Sequence, residues 1–320
     1  MVKNPPCLSR QKSSIEDSLK PWLERDNKMP EINGARTQDP YEIPSDLQLA
    51  VDKWGLSKNI KQIVNDGYTV LRDEISVSLT QSIRDSIIKH VDHDPDAEIQ
   101  FQTNMLEAAP VFSSAVTHPA TLTIVDFLLG RSPQFSQMAG SVRRAGTNIL
   151  GLHADSDWFP APFPEWEIMA TACWVCDEFT EQNGATMVIP GSHVHRRPPP
   201  TDITESGEGV IPIIAPKGSV VIWNGSVWHG GLARKTAGER VVLHMTYTRL
   251  GMQTIESHGH LKDDWFIDKP TELPALLGRE HFLGRSPTQK SDNSFALKEK
   301  TMRDVYRSEE VRDWLSGESE

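Results

Sequence analysis

The chain has 320 residues, with 33 Lys plus Arg against 44 Asp plus Glu and a formal net charge of −11. Hydrophobic residues make up 38 %, enough for a sizeable core, so wholesale disorder is excluded. There is no run of about 18 apolar residues to span a membrane, and an acidic chain without a Lys/Arg block is a poor nucleic-acid binder.

Residues 1–45 carry prolines at 5, 6, 21, 30, 40 and 44 and read as an irregular N-terminal arm. Met1 to Arg10 lacks the apolar stretch of a secretory signal, and Gly317-Glu318-Ser319-Glu320 is not a peroxisomal address, so a cytoplasmic protein is expected. Ser45 is placed to cap a helix over Asp46–Trp54, and a second short helix is expected over Lys58–Asn65, ended by the Asp66-Gly67 turn. Tyr68–Leu71 reads as a strand. Ser76 is placed to cap a helix over Val77–Val91, whose apolar residues at 79, 83, 87, 88 and 91 follow helical spacing. His118-Pro119 opens a helix over Ala120–Leu129, closed by Gly130.

From Phe135 the texture changes. Short β-type runs alternate with Gly, Pro and Asn turns: 135–142, 148–153, 168–176, 185–189, 210–215, 219–223 and 240–248. Such spacing suggests a sandwich or barrel. After Leu250 the chain is polar and mixed, with a helix expected over Lys300–Leu315. The expected organisation is the arm at 1–45, one domain over 46–290 with a helical front and a β-rich core at about 135–250, and a polar, partly helical tail at 291–320. The three cysteines are Cys7, Cys173 and Cys176. The Cys173-x-x-Cys176 spacing lies in a β-forming run, and there residues three apart point to opposite faces. Two separate buried thiols are therefore expected rather than a redox or zinc pair.

His153-Ala154-Asp155 ends one expected strand, and positions i and i+2 project from one face. His229 follows the apolar run Ser219–Trp223 and the Asn224-Gly225 turn. Two imidazoles and one carboxylate can form a facial triad on Fe(II), with open positions for a cosubstrate and O2. The three-residue pattern alone is weak, since a lone His is more often structural than a ligand. Arg240 lies 11 residues after His229 at the start of the next strand run, where a permanently charged guanidinium can clamp a carboxylate. Taken alone it is one of many arginines.

Several segments in fixed order resemble the phytanoyl-CoA dioxygenase family of Fe(II)- and 2-oxoglutarate-dependent oxygenases. They are Asp66-Gly67-Tyr68-Thr69-Val70-Leu71-Arg72, His118-Pro119 with Leu128-Leu129-Gly130, Gly151-Leu152-His153-Ala154-Asp155, the run from Asp177 through Asn183-Gly184-Ala185-Thr186 to Val188-Ile189-Pro190-Gly191-Ser192-His193, and Gly218–Trp223 followed by His229-Gly230-Gly231 and Arg240. The resemblance implies a mainly β fold with flanking helices around a double-stranded β-helix, a cupin-like jelly roll. It implies that His153, Asp155 and His229 hold iron, that Arg240 and Thr186 hold the distal carboxylate of 2-oxoglutarate, and that O2 is the oxidant. A Gln that many members place just before the first His is absent, Leu150 and Gly151 standing there, and Asn148 is the candidate replacement. His193 is implied to be a turn residue near the site mouth.

The implied reaction oxidises an unactivated C–H bond of a small organic substrate, with release of succinate and CO2. Hydroxylation of a specialised metabolite is favoured, while desaturation, ring formation or epimerisation would use the same ligands. A hydrolase or a non-catalytic binder on this fold are the other classes weighed. The presence of Asp155 argues against halogenation. The partner is a small molecule rather than nucleic acid or membrane, and homo-oligomerisation is left open. The aromatic, proline-rich loop Trp158–Trp166 reads equally as a pocket wall or as a surface loop.

Overall fold

The computed structural model describes residues 41–72, 76–91, 99–130 and 132–279. The expected arm up to residue 40 and the helix expected over Lys300–Leu315 lie outside them. The chain opens with helices α1 (Ser45–Trp54) and α2 (Ser57–Asp66), which end in Gly55 and Gly67 at positive φ. Ser45 is not the cap it was expected to be. Pro44 holds that position with an extended ψ and no side-chain hydrogen bond, so Ser45 is the first helical residue. Ser76 does cap α3 (Val77–His90), its Oγ accepting the Leu79 N–H at 3.1 Å. Two short helices follow, α4 (Pro110–Val116) and α5 (Pro119–Leu129), each with Pro in its first turn, where the missing N–H costs nothing. At seven residues, α4 is too short for periodicity to reveal it.

The strands are β1 (Tyr68–Leu71), β2 (Ile99–Gln102), β3 (Gln134–Arg144), β4 (Leu150–His153), β5 (Met169–Val175), β6 (Thr186–Val188), β7 (Ile211–Pro212), β8 (Val220–Asn224), β9 (His229–Gly231) and β10 (Glu239–Thr248). They form two antiparallel sheets, ordered β1-β8-β5-β10-β3-β2 and β4-β9-β6-β7, in a jelly-roll arrangement. Strands β2 and β9 were not anticipated, because Ile-Gln-Phe-Gln and His-Gly-Gly are too short or too glycine-rich to announce themselves. β7 is shorter than expected, since Pro212 has no N–H to extend the ladder with Met187.

Alternation along the large sheet divides it into two faces. Val241, Leu243, Met245 and Tyr247 of β10, with Ala170, Ala172 and Trp174 of β5, join the core built with the helices. Val242, Cys173, Val175, Val221 and Trp223 join a second core with Val188 of the small sheet and Phe179. Both faces are covered, which is why these strands read as near-continuous apolar runs. Cys173 belongs to one core and Cys176 to the other, both as free buried thiols, as the strand reading of their spacing required. No single helix among the described residues is long and apolar enough to cross a membrane.

Candidate metal centre

The inward face of β10 carries Arg240, His244 and Thr246, which line a cavity of about 390 Å3 together with His153, Asp155 and His229. Antiparallel pairing of β4 with β9 puts His153 directly opposite His229, and the two rings lie 4.4 Å apart. Asp155 opens a single 3-10 turn over Asp155–Trp158, two residues past His153. Its Oδ1 lies 3.5 Å from His229 Nε2 and 3.9 Å from His153 Nε2. One donor atom from each of the three falls within 4.8 Å of the others.

The surroundings orient all three groups. His153 Nδ1 sits 3.0 Å from the Gly151 carbonyl, and His229 Nδ1 sits 3.1 Å from the Val227 carbonyl. With the protons on Nδ1, both Nε2 lone pairs face Asp155, the usual way a ligating imidazole is held. Asp155 Oδ2 accepts from Thr171 Oγ1 and from Trp223 Nε1, each at 2.9 Å, which leaves Oδ1 for the histidines. Burial opposes ionisation of Asp155, but His229, the Trp223 hydrogen bond, His153 and Thr171 outweigh it and hold the carboxyl below its ordinary range. Burial lowers His229, against the pull of Asp155. A neutral imidazole beside an ionised carboxylate is the state that binds a metal ion. Metal bonds of about 2.0–2.2 Å put adjacent ligand atoms about 3 Å apart, so sub-ångström shifts would close the set on an ion.

A cationic wall lies beside this cluster. Arg240 on β10 and Arg143 on β3 are direct cross-strand partners, and each is only 4 % exposed. Arg240 Nη1 donates to the Gly184 carbonyl, and its guanidinium lies 4.9 Å over the Phe179 ring. Arg143 Nη2 donates to the Asn148 carbonyl at 2.9 Å. The Nε of each is buried without a hydrogen-bond partner among the described residues. Burial first, and Arg143 second, push Arg240 down to about 9. Burial, with Arg240 adding to it, pushes His244 down to about 4, so that imidazole is neutral at physiological pH. Like charges directly opposite on a sheet are destabilising, and each orphaned buried donor costs about 1–3 kcal/mol. An anionic ligand relieves both penalties. The residues present therefore fit Fe(II) at the His-Asp-His cluster and a carboxylate at the arginine pair.

The expected site residues come together in one place. Thr186 on β6, opposite Gly231, lines the same cavity as Arg240. Asn148 offers its backbone carbonyl to Arg143, while Gln137 on β3 lines the cavity in the place considered for Asn148. His193 lies against α2, its Nε2 3.1 Å from the Val64 carbonyl, and is not among the clustered ligands. The Trp158–Trp166 loop divides. Phe163 is buried with Ala154 and Trp228, whereas Trp158 is 75 % exposed and Trp166 57 % exposed. Four cavity residues went unread in the sequence: Thr171, Trp223, Arg143 and His244. Inward alternation from Cys173 would have pointed to Thr171, and alternation from Arg240 to His244. Arg143 had no local signal, because its importance comes from its register against β10.

The family model for phytanoyl-CoA dioxygenase (PhyH) matches residues 65–242. Among curated proteins, the chain is 30 % identical over 172 residues to dioxygenase trt7 of Aspergillus terreus, covering 49 % of this chain and 57 % of that one. It is 27 % identical over 166 residues to dioxygenase af480 of Aspergillus fumigatus, covering 51 % of this chain and 50 % of that one. These matches thus span about half the length of either relative. Among solved structures, HygX of Streptomyces hygroscopicus with nickel and 2-oxoglutarate bound is similar at a TM-score of 0.55 and 15 % identity, over 65 % of this chain and 92 % of that one. HygX is also known with hygromycin B bound. With the matched segment running from the end of α2 into β10, the chain belongs to the phytanoyl-CoA dioxygenase family and is an Fe(II)- and 2-oxoglutarate-dependent dioxygenase.

Proposed function

We propose that His153, Asp155 and His229 ligate the iron, and that Arg240, Thr186 and Arg143 hold the distal carboxylate of 2-oxoglutarate. The enzyme then hydroxylates an unactivated C–H bond of a small organic substrate, a specialised metabolite, in the cytoplasm. The observation that carries this reading is the pairing of a converging His-Asp-His cluster with two buried guanidinium groups whose Nε atoms have no partner. Residues 46–290 are proposed to act as one oxygenase domain.

When bound, iron with 2-oxoglutarate supplies the oxidant for the C–H bond, and succinate and CO2 are released. The chain's own residues bind and orient. Thr171 and Trp223 fix which carboxylate oxygen of Asp155 meets the metal. The Gly151 and Val227 carbonyls fix the histidine tautomers. Arg240 and Arg143 turn one end of the cavity toward a dicarboxylate, and the neutral His244 between them and the metal adds no further charge. A hydrolase would need a general base beside the metal, and the two arginines would then have no purpose.

The test is succinate formation from 2-oxoglutarate with Fe(II), ascorbate and O2, first without added substrate and then with candidate substrates. Succinate above a His153→Ala, His229→Ala control supports the proposal, and a product heavier by one oxygen identifies hydroxylation. A product lighter by two hydrogens makes it a desaturase or cyclase. Absence of both succinate and 2-oxoglutarate binding sinks the oxygenase assignment of these residues.

A further inference from the structure

A second cavity continues the first along the inner face of the large sheet. On β5, Thr171 lines the metal cavity and Met169 lines the second; on β10, Thr246 lines the metal cavity and Thr248 lines the second. Thr246 pairs with Thr171, and Thr248 with Met169, so the two cavities occupy consecutive same-face steps of one strand pair. Two residues of strand advance about 7 Å, which sets the distance between those steps. The 3-10 turn that begins at Asp155 ends at Trp158, and Trp158 with Phe159 forms another wall of the second cavity.

This second space measures about 530 Å3, within the range for a site that takes a small organic molecule. Its remaining walls are Ile168 and the segment 252–255. That segment is anchored rather than loose. Ile255 N–H donates to Ser136 Oγ at 2.9 Å, and Glu256 accepts from the N–H groups of Asn104 at 2.7 Å and Met138 at 3.1 Å. No charged side chain lines it among the described residues; its polar atoms come from Thr248, Gln253 and Thr254. The metal cavity, by contrast, holds Arg143 and Arg240. Charge is thus segregated, with the anion end at the arginines and a neutral, aromatic and aliphatic chamber on the other side of the cluster.

We propose that this chamber binds the body of the substrate, and that the substrate is an uncharged, hydrocarbon-rich molecule with a few hydrogen-bonding oxygens. A polycation would find no carboxylate there, and the phosphates of a coenzyme A thioester would find no cation. Burying either charge unpaired is strongly disfavoured. The proposal rests on the oxygenase reading of the neighbouring cluster.

The probe is Nile red, an uncharged dye that brightens in apolar surroundings, added anaerobically to enzyme loaded with Fe(II) and 2-oxoglutarate. Progesterone, hygromycin B and coenzyme A are the competitors. The expected result is a saturable emission increase displaced by progesterone and not by the two charged compounds. Ile255→Asp, at a wall residue 37 % exposed, should weaken dye and progesterone binding by at least about tenfold while leaving substrate-free succinate formation at the wild-type rate. Failure of the dye to bind, displacement by hygromycin B, or unchanged binding in Ile255→Asp would overturn the inference. If dye and variant behave as expected but the wild type makes no succinate, the oxygenase assignment falls and the neutral-ligand chamber stands.

Discussion

Thr171→Val isolates the hydrogen bond that aims Asp155. The change removes one hydroxyl and keeps the branched shape, so the inner face of β5 stays filled. The lost contact is the 2.9 Å bond from Thr171 Oγ1 to Asp155 Oδ2, which leaves Trp223 Nε1 as the other donor on that oxygen. A hydrogen bond to a charged group is worth about 1.5–3 kcal/mol, and groups that orient metal ligands typically change affinity by about 10–100-fold when removed. Fe(II) binding should therefore weaken by about 10–100-fold. Anaerobic calorimetric titration with Fe(II) in the presence of 2-oxoglutarate measures it directly. Trp223→Phe should give a loss of the same order. The double variant should lose less than the sum if the remaining donor takes up the load, because both bonds serve one oxygen. Unchanged iron affinity in a normally folded Thr171→Val protein would refute the claim that this bond positions the ligand.

Arg240→Gln should weaken 2-oxoglutarate by well over tenfold, since truncating one partner of a buried charge pair costs about 2–5 kcal/mol, and Arg143→Gln by about tenfold, with Fe(II) affinity retained in both. Loss of iron instead, seen by the same titration, would contradict their roles. His244 has a folded pKa lowered from 6.5 to about 4, so the native state binds fewer protons there than the unfolded chain, and stability present above pH 6.5 is lost as pH falls toward 4. The difference corresponds to about 3 kcal/mol, so urea unfolding of the wild type should decline by about that much more than His244→Gln between pH 7 and pH 4; parallel curves would refute it. A Cβ on Gly230 would lie 2.5 Å from the Leu150 carbonyl oxygen and 2.9 Å from that of Gly151, whereas one on Gly151 would meet nothing within 4 Å. Gly230→Ala should accordingly cost at least about 2 kcal/mol in thermal unfolding and weaken iron binding, while Gly151→Ala stays near wild type.

Much of the molecule could be read locally. The Ser76 cap, the Gly67 and Gly130 stops and the 2-residue alternation of the β runs place most of the helices and strands within a residue or two of their observed bounds. These signals lie in the residues themselves, through a side-chain oxygen, a left-handed glycine or an apolar run. His153, Asp155, His229, Arg240 and Thr186 were named from spacing and resemblance, and the fold brings all five to one cavity. What escaped has little local signature. β9 is His-Gly-Gly, a strand only because Gly230 lets β4 come close. Thr171 and Trp223 become donors to Asp155 only when β5 and β8 pass beneath the turn that carries it. Arg143 stands opposite Arg240 because of a register between strands about a hundred residues apart, and no local pattern encodes that register. The sequence by itself thus determined the family, the elements and the ligand set. The tertiary structure alone decided which oxygen of Asp155 faces the histidines, that two buried guanidinium groups share one wall, and that a charge-free chamber continues from the metal cluster, because each depends on which strands pair and on which face their side chains meet.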